Sequence, residues 1–246
     1  KARPSLEIPR VLTAADGTDM VTLKGNDGAP HFLRVYSFLK GETVEALGTD
    51  FVEGLKVGHF VGKLGKALSG FHHPSAHQNI VWNLLAAENL RHETPCFSDP
   101  ARRRLVEVAW DIYMRHGQPG LRQQRSQVIH NDLTQANLMA DPDHPGGIGG
   151  ALDFGDATFA PLILDPVISA VKLAEGHSQP IDFCAELFAG FAAEYALDAT
   201  EVELLFPVMM GRIALTQTIQ AWRERHVPDK AGELAGYMDA ALGNLE

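Results

Sequence analysis

The sequence predicts an α+β chain, mainly helical, with a small β piece at its front. Three observations carry that expectation. Short β-type runs open the chain, a second group of short strands occupies its centre, and from Pro161 the apolar spacing is helical almost to the end. The expected division is residues 1–40 for the β piece and a connector, and 41–246 for the larger helical body.

In order along the chain, residues 7–12, 20–23 and 31–36 read as strands. Lys24-Gly25-Asn26-Asp27-Gly28 joins the last two as a hairpin turn, because Gly and Asn tolerate the backbone angles a tight turn requires. Gly41 and its polar neighbours read as a connector after Leu39. From about Asp50, Leu55, Phe60, Val61, Leu64 and Leu68 recur at helical intervals. Residues 72–77, rich in His and Pro, read as a loop, and 82–91 as a short helix. Pro100 suits the first position of the next helix, where its missing N–H costs nothing. That helix is expected to bury Leu105, Val108, Ala109, Ile112 and Tyr113 and to stop at Gly117 and Pro119. Residues 127–130, 137–140 and 149–153 read as strands, the last two joined by a turn over 141–147. Helices are expected near 162–175, 181–196, 200–226 and 230–243.

Composition narrows the partners. A net charge of −10 argues against nucleic acid, which needs clustered Lys and Arg; Arg102, Arg103 and Arg104 form the only tight basic run and read as the solvated start of a helix. No run approaches the roughly 18 apolar residues of a membrane span, so no membrane partner is expected. Cys96 and Cys184 have no metal-type spacing and imply no disulfide framework, which points to a reducing, cytoplasmic setting. The chain begins with Lys and passes directly into a strand-like segment, as the middle of a larger protein would.

Two polar clusters lie at the ends of the central strands. The first runs His130-Asn131-Asp132-Leu133-Thr134-Gln135-Ala136-Asn137; the second is Asp153-Phe154-Gly155-Asp156. An Asp five residues before an Asn, followed by Asp-Phe-Gly, has the layout that phosphoryl transfer from a nucleotide requires. The attacking hydroxyl needs a carboxylate to accept its proton. The triphosphate needs a divalent metal, and hard Mg²⁺ prefers oxygen ligands such as an Asn amide and an Asp carboxylate. Asp132, Asn137 and Asp153 can supply these functions. A lone Asp-Phe-Gly or His-x-Asp is a weak signal; the two in this order, each at a strand end, are a much stronger one.

Residues 128–139 resemble the catalytic loop of aminoglycoside phosphotransferases and choline kinases, and 152–157 resemble their metal-binding segment. Within that family the likeness is to the hydroxylysine kinase branch, through Phe71-His72-His73-Pro74, Ile80-Val81-Trp82-Asn83-Leu84 and Gly211-Arg212-Ile213-Ala214-Leu215. It spans about residues 6–228. The resemblance implies the helical C-terminal lobe of a protein-kinase-like fold, with a β remnant of the N-terminal lobe. It implies ATP or GTP as phosphoryl donor, Mg²⁺, and a hydroxyl of a small amine-bearing metabolite as acceptor: a hydroxylysine-like amino alcohol, an aminoglycoside or homoserine. By it, Asp132 is the catalytic base and Asn137 and Asp153 hold the metal and nucleotide. His130 braces the loop, and Asp156 is a further acid near metal or substrate. Asp165 anchors the segment after the metal loop. Asn131 stands where the family has Gly.

The family's Gly-rich hairpin and its strand Lys paired with a helix Glu find no match, since Lys24 precedes a Gly-rich turn instead of following one. They are expected upstream of Lys1, with residues 7–12 and 31–36 as the last strands of the nucleotide lobe and 38–42 as the hinge. The chain alone is then expected to bind nucleotide weakly and to turn over poorly. Arg212, Trp222 and Glu175 are candidate substrate contacts, with surface acids and core packing as the plain alternatives. Trp82 and Trp110 are read as core, and His72, His73 and His77 as loop residues, not zinc ligands. Two rival functions are a non-catalytic metabolite-binding regulatory module and a metal-dependent phosphohydrolase. The second leaves the Asp-to-Asn spacing unexplained.

Overall fold

Two short antiparallel pairs make one long hairpin at the front: β1 (Val11–Leu12) with β4 (Val35–Tyr36), and β2 (Val21–Lys24) with β3 (Pro30–Leu33). This is a computed structural model, and it describes residues 6–78 and 80–226. The helix expected near 230–243 lies outside the described residues. The expected hairpin turn is present, with Gly28 at φ 82 and Asp27 Oδ1 accepting the Ala29 N–H at 2.9 Å. The strand expected over 7–12 is broken into two parts, because Pro9 has no N–H to give a ladder. Glu7 instead bridges to Gly150 in the centre of the chain, and only Val11–Leu12 joins the hairpin.

The remaining elements are α1 (Val44–Leu47), α2 (Gly54–Leu68), α3 (Pro100–Ile112), α4 (Gln118–Leu121), β5 (Ser126–Ile129), β6 (Leu138–Ala140), β7 (Ile148–Ala151), β8 (Thr158–Pro161), α5 (Leu164–Ala174), α6 (Pro180–Glu194) and α7 (Ala199–His226). The architecture is therefore the expected α+β, mostly helical. β5 pairs antiparallel with β8, a strand not anticipated, and β6 with β7. Residues Leu84–Cys96 wind as successive 3-10 turns where an ordinary helix was expected; the stretch contains Pro95, which cannot donate to a helical ladder.

α2 packs on α6 through a ridge of glycines. A Cβ on Gly58 would collide with the Leu187 carbonyl, one on Gly54 with the Phe183 carbonyl, and one on Gly190 with the Leu55 carbonyl. Glycine is what lets these two backbones touch. The expected apolar face of α2 holds for Phe60, Val61 and Leu64, but Leu55 is exposed and Val57 takes its place in the core.

α3 starts as anticipated, with Pro100 in the first turn and Asp99 accepting the Ala101 N–H at 2.9 Å. Its buried face is turned by about one residue from the expected one. Leu105 and Val108 are 72% and 51% exposed, whereas Val106, Ala109, Trp110 and Tyr113 are buried. The cause is long-range: Trp110 Nε1 donates to Thr218 Oγ1 of α7 at 3.1 Å, and Tyr113 OH donates to the Leu84 carbonyl at 2.8 Å. Nor does the helix end at Gly117. It widens into a π-turn over Tyr113–Gly117 and continues as α4, the Tyr113 ring lying where a side chain on Gly211 would go.

Two apolar clusters result. One joins α3, α7, Leu84 and Ile129 to the start of α5; the other joins α2, α5 and α6 to Leu133, Leu138 and Ala151. The central strands lie between them. α7 is long and apolar enough by composition to cross a membrane, but Leu204, Leu205, Val208, Leu215 and Ile219 are spent on the first cluster. Near its start the buried Glu201 takes a two-point bond from Arg125, at 2.6 and 2.8 Å.

Candidate active site

β5 delivers the chain to His130, where the first polar cluster begins. Asp165, buried in the first turn of α5, accepts the His130 N–H at 3.0 Å and the Asn131 N–H at 2.8 Å. Asp165 was expected to anchor the segment after the metal loop; it holds the start of the catalytic-type loop instead. One turn on, Ser169 Oγ donates to the Leu133 carbonyl at 3.2 Å. The loop is thus fixed from below by one helix.

Asn131 sits at φ 67, the left-handed region that Gly and Asn tolerate best. That is the physical reason one can replace the other here. His130 is fully buried, its Nε2 donating to the Leu152 carbonyl at 2.8 Å while Nδ1 accepts the Asp132 N–H at 3.3 Å. These partners define the tautomer with hydrogen on Nε2. The ring also lies 4.5 Å from that of Phe154. His130 therefore ties the loop to the segment that carries Asp153.

Asn137 makes the second tie. Its Nδ2 donates to Asp132 Oδ2 at 2.7 Å and to the Asp132 carbonyl at 2.9 Å, and its own carbonyl accepts the Leu152 N–H at 2.8 Å. Asp153 follows at φ 54, its Oδ1 taking the Gly155 N–H at 3.0 Å. Asn131 and Asp153 both lie in left-handed backbone and neither is Gly, which marks a shape set by the surroundings. Asp132, Asn137, Asp153 and Asp156 are brought to one place: burial pushes the Asp132 carboxyl up, with Asp153 adding to it, and burial followed by Asp132 and Asp153 pushes Asp156 up.

Arg212 of α7 opposes both shifts. It is 3% exposed, donates from one terminal nitrogen to the Trp82 carbonyl at 3.2 Å, and its guanidinium lies 5.7 Å from the centre of the Trp82 ring. Burial lowers its pKa to about 10, with Asp132 and Asp156 raising it, so it stays cationic at neutral pH. Arg223 comes to the same ring at 5.1 Å. Trp82 is thus a platform for two guanidinium groups, a role composition and spacing do not reveal. Asn131 Nδ2, Gln135 Oε1 and Arg212 Nε are buried without a hydrogen-bond partner among the described residues.

Two expected contacts are not brought in. Glu175 is exposed at the C-terminal cap of α5, 3.8 Å from Lys172 and about 15 Å along the helix from Asp165. Trp222 stacks on His226 at 4.7 Å and packs on the first apolar cluster, with no bond to the acids among the described residues. Of the loop histidines, His73 caps a short turn through Ser75 N–H and His77 packs against Phe159. Arg102 and Arg103, expected in solvent, are half-buried: Arg102 binds Gln217 Oε1 at 3.1 Å and Arg103 the Phe97 carbonyl at 2.6 Å.

A helical body with paired loops between its two cores, one bearing Asp-x₄-Asn and the next Asp-Phe-Gly-Asp, has the layout of a kinase-like fold. The chain belongs to the phosphotransferase enzyme family APH, whose sequence pattern matches residues 1–206. It is 23% identical over 229 residues to the hydroxylysine kinase of Mus musculus, covering 88% of this chain, and 23% identical over 215 residues to that of Bos taurus, covering 83%. The chain spans 61% and 57% of the length of those relatives. Among solved structures it resembles amicoumacin kinase hAmiN in complex with AMP-PNP, Ca²⁺ and Ami, with a TM-score of 0.60 and 20% identity over 98% of this chain and 71% of that one. It also resembles the GDP complex of aminoglycoside 2'-phosphotransferase-IIIa, with a TM-score of 0.57 and 18% identity over 98% of this chain and 75% of that one.

Proposed function

We propose that the protein transfers the γ-phosphoryl group of ATP or GTP to a hydroxyl of a small amine-bearing metabolite, a hydroxylysine-like amino alcohol first. The observation that carries this reading is the Asp132–Asn137 pair, cross-linked through Leu152 to Asp153. Asp132 is the base: Asn137 fixes its carboxylate at 2.7 Å, and the acceptor's proton goes to a carboxylate oxygen as the hydroxyl attacks the γ-phosphorus, the bond from that phosphorus to the β–γ bridging oxygen breaks and the nucleoside diphosphate leaves. His130 positions the loop. The likeness to kinases of hydroxylysine and aminoglycosides supports an acceptor bearing amines, and the acids around Asp156 suit an ammonium group.

Mg²⁺ fits the donor set. Asn137 Nδ2 is committed to Asp132, leaving the amide Oδ1, and Asp153 commits Oδ1 to Gly155, leaving Oδ2; both are hard oxygens. Bound there with the nucleotide, the ion would neutralise phosphate charge. Asp156 is the further acid of that set.

The pH dependence follows from the Asp132 shift. Its carboxyl is raised by burial, so it stays protonated and idle to a higher pH than an ordinary carboxyl. The acid limb of kcat should therefore lie above the ordinary Asp range, with activity rising as pH climbs through it. A limb at or below pH 4 would remove Asp132 from the role (roughly the unperturbed value). The function itself is tested by incubating the full-length protein with ATP or GTP and a panel of amino alcohols. A phosphoester product supports the kinase, free phosphate without a nucleotide donor supports the hydrolase, and acceptor binding without turnover supports the regulatory module.

A further inference from the structure

At the turn end of the β6–β7 pair, away from Asn137 and Leu152, lies a cavity of about 320 Å³. Four separate parts of the chain wall it: Leu6 at the front, α2, the turn from Asp141 to Ile148, and Glu194 at the end of α6. Asp141 stands four residues beyond Asn137, about 13 Å along an extended chain, so the cavity is separate from the acids of the candidate active site. Its lining has two characters. Leu6, Phe60 and Ile148 make an apolar floor, and Phe60 and Ile148 are buried.

Most of the polar lining is already paired. His59 Nδ1 lies 3.1 Å from Glu194 Oε1, and His144 Nδ1 lies 2.9 Å from Asp141 Oδ2, so both acids are engaged by histidines. Lys56 Nζ donates to Glu53 Oε1 and to the Pro145 carbonyl, both at 2.7 Å. Lys63 is different. Its Nζ lies 4.0 Å from Glu194 Oε1, the oxygen that His59 takes, and it donates no hydrogen bond among the described residues. A half-buried ammonium with free donors beside an apolar floor suits an anion that carries an apolar body. The volume bounds that body. An apolar cavity of about 150 Å³ holds benzene, so this one has room for a phenyl ring and a short acid chain.

We propose that this cavity is a second binding site, for a small amphipathic monocarboxylate whose carboxylate accepts from Lys63 Nζ and whose apolar body lies against Leu6, Phe60 and Ile148. A neutral ligand of the same body forgoes the charge on Lys63, and a bare anion forgoes the burial. The site does not depend on the phosphoryl-transfer reading.

The test is isothermal titration calorimetry of the full-length protein with 3-phenylpropionate, 3-phenylpropanol and acetate. 3-Phenylpropionate should bind with a dissociation constant on the order of 0.1 to 1 mM, and 3-phenylpropanol about tenfold more weakly. Acetate should give no measurable binding. Lys63→Met should weaken 3-phenylpropionate about tenfold and erase its advantage over the alcohol. Leu6→Trp, which fills the floor, should weaken both ligands at least about tenfold. Both variants are first checked for folding by circular dichroism. Unchanged 3-phenylpropionate binding in the two folded variants would place the ligand elsewhere and overturn the proposal. Equal binding of acid and alcohol by the unmodified protein would overturn the ligand class. Acetate binding as tightly as 3-phenylpropionate would mean an adventitious ion only, and no binding of 3-phenylpropionate up to about 10 mM would remove the site; either result overturns the proposal.

Discussion

The front hairpin and the β6–β7 pair are both short antiparallel ribbons, yet they sit in the molecule in opposite ways. Every residue of β3 is exposed, with Phe32 at 66%, while every residue of β6 is buried. The hairpin is held by its own ladder and a local turn. β6–β7 is held from outside as well, by Glu7 against Gly149 and Ala151, by Glu42 against Ala140, and by the Asn137–Leu152 bond beside its open end. Pairing makes a ribbon; bonds to other elements give it a fixed address. The chemical residues all lie on the ribbon and loops that have one.

That contrast can be broken by measurement. The largest effect on stability is expected at Asp165→Ala, which strips two buried N–H groups of their acceptor: about 3 kcal/mol less stability by urea unfolding. A loss under about 1 kcal/mol would mean the loop does not depend on α5. Gly58→Ala comes next. Its methyl group must displace the Leu187 carbonyl, so α2 and α6 should separate at a cost of about 2 kcal/mol, read from the same unfolding curve. Phe32→Ser lies at the other end, on the exposed hairpin, and should change stability by no more than about 0.5 kcal/mol. A larger loss would show that something covers the hairpin.

The same contrast explains what the sequence revealed. The site was legible because its signals are local: Asp132 and Asn137 share one loop, the turn over 141–147 separates two strands, and Asp153-Phe154-Gly155 follows the second. Asp99-Pro100 likewise announces the start of α3 through a cap and a proline that act within one turn. The α3 face was misread because burial there is decided by Thr218 and Leu84, more than a hundred residues away in one case. β8 went unseen because four residues ending in Pro carry almost no strand signal until β5 lies beside them. The gathering of Trp82, Arg212 and Arg223 has the same cause: the sequence shows a core tryptophan and, in Arg212, a candidate substrate contact, and only the packing of α7 brings both arginines to the Trp82 ring. Glu175 was misplaced for the converse reason, since a helix that begins at the site has left it ten residues later.

The most direct test sets a residue of the loop leading into β6 beside one from the front hairpin. Phosphoryl transfer from ATP or GTP to hydroxylysine is measured for the protein, for Asp132→Asn and for Phe32→Ser, each checked for folding. Asp132→Asn keeps the shape beside Asn137 but removes the base, so kcat should fall about 1,000-fold, with Phe32→Ser remaining within about twofold. Asp132→Asn turning over at the original rate would contradict the account.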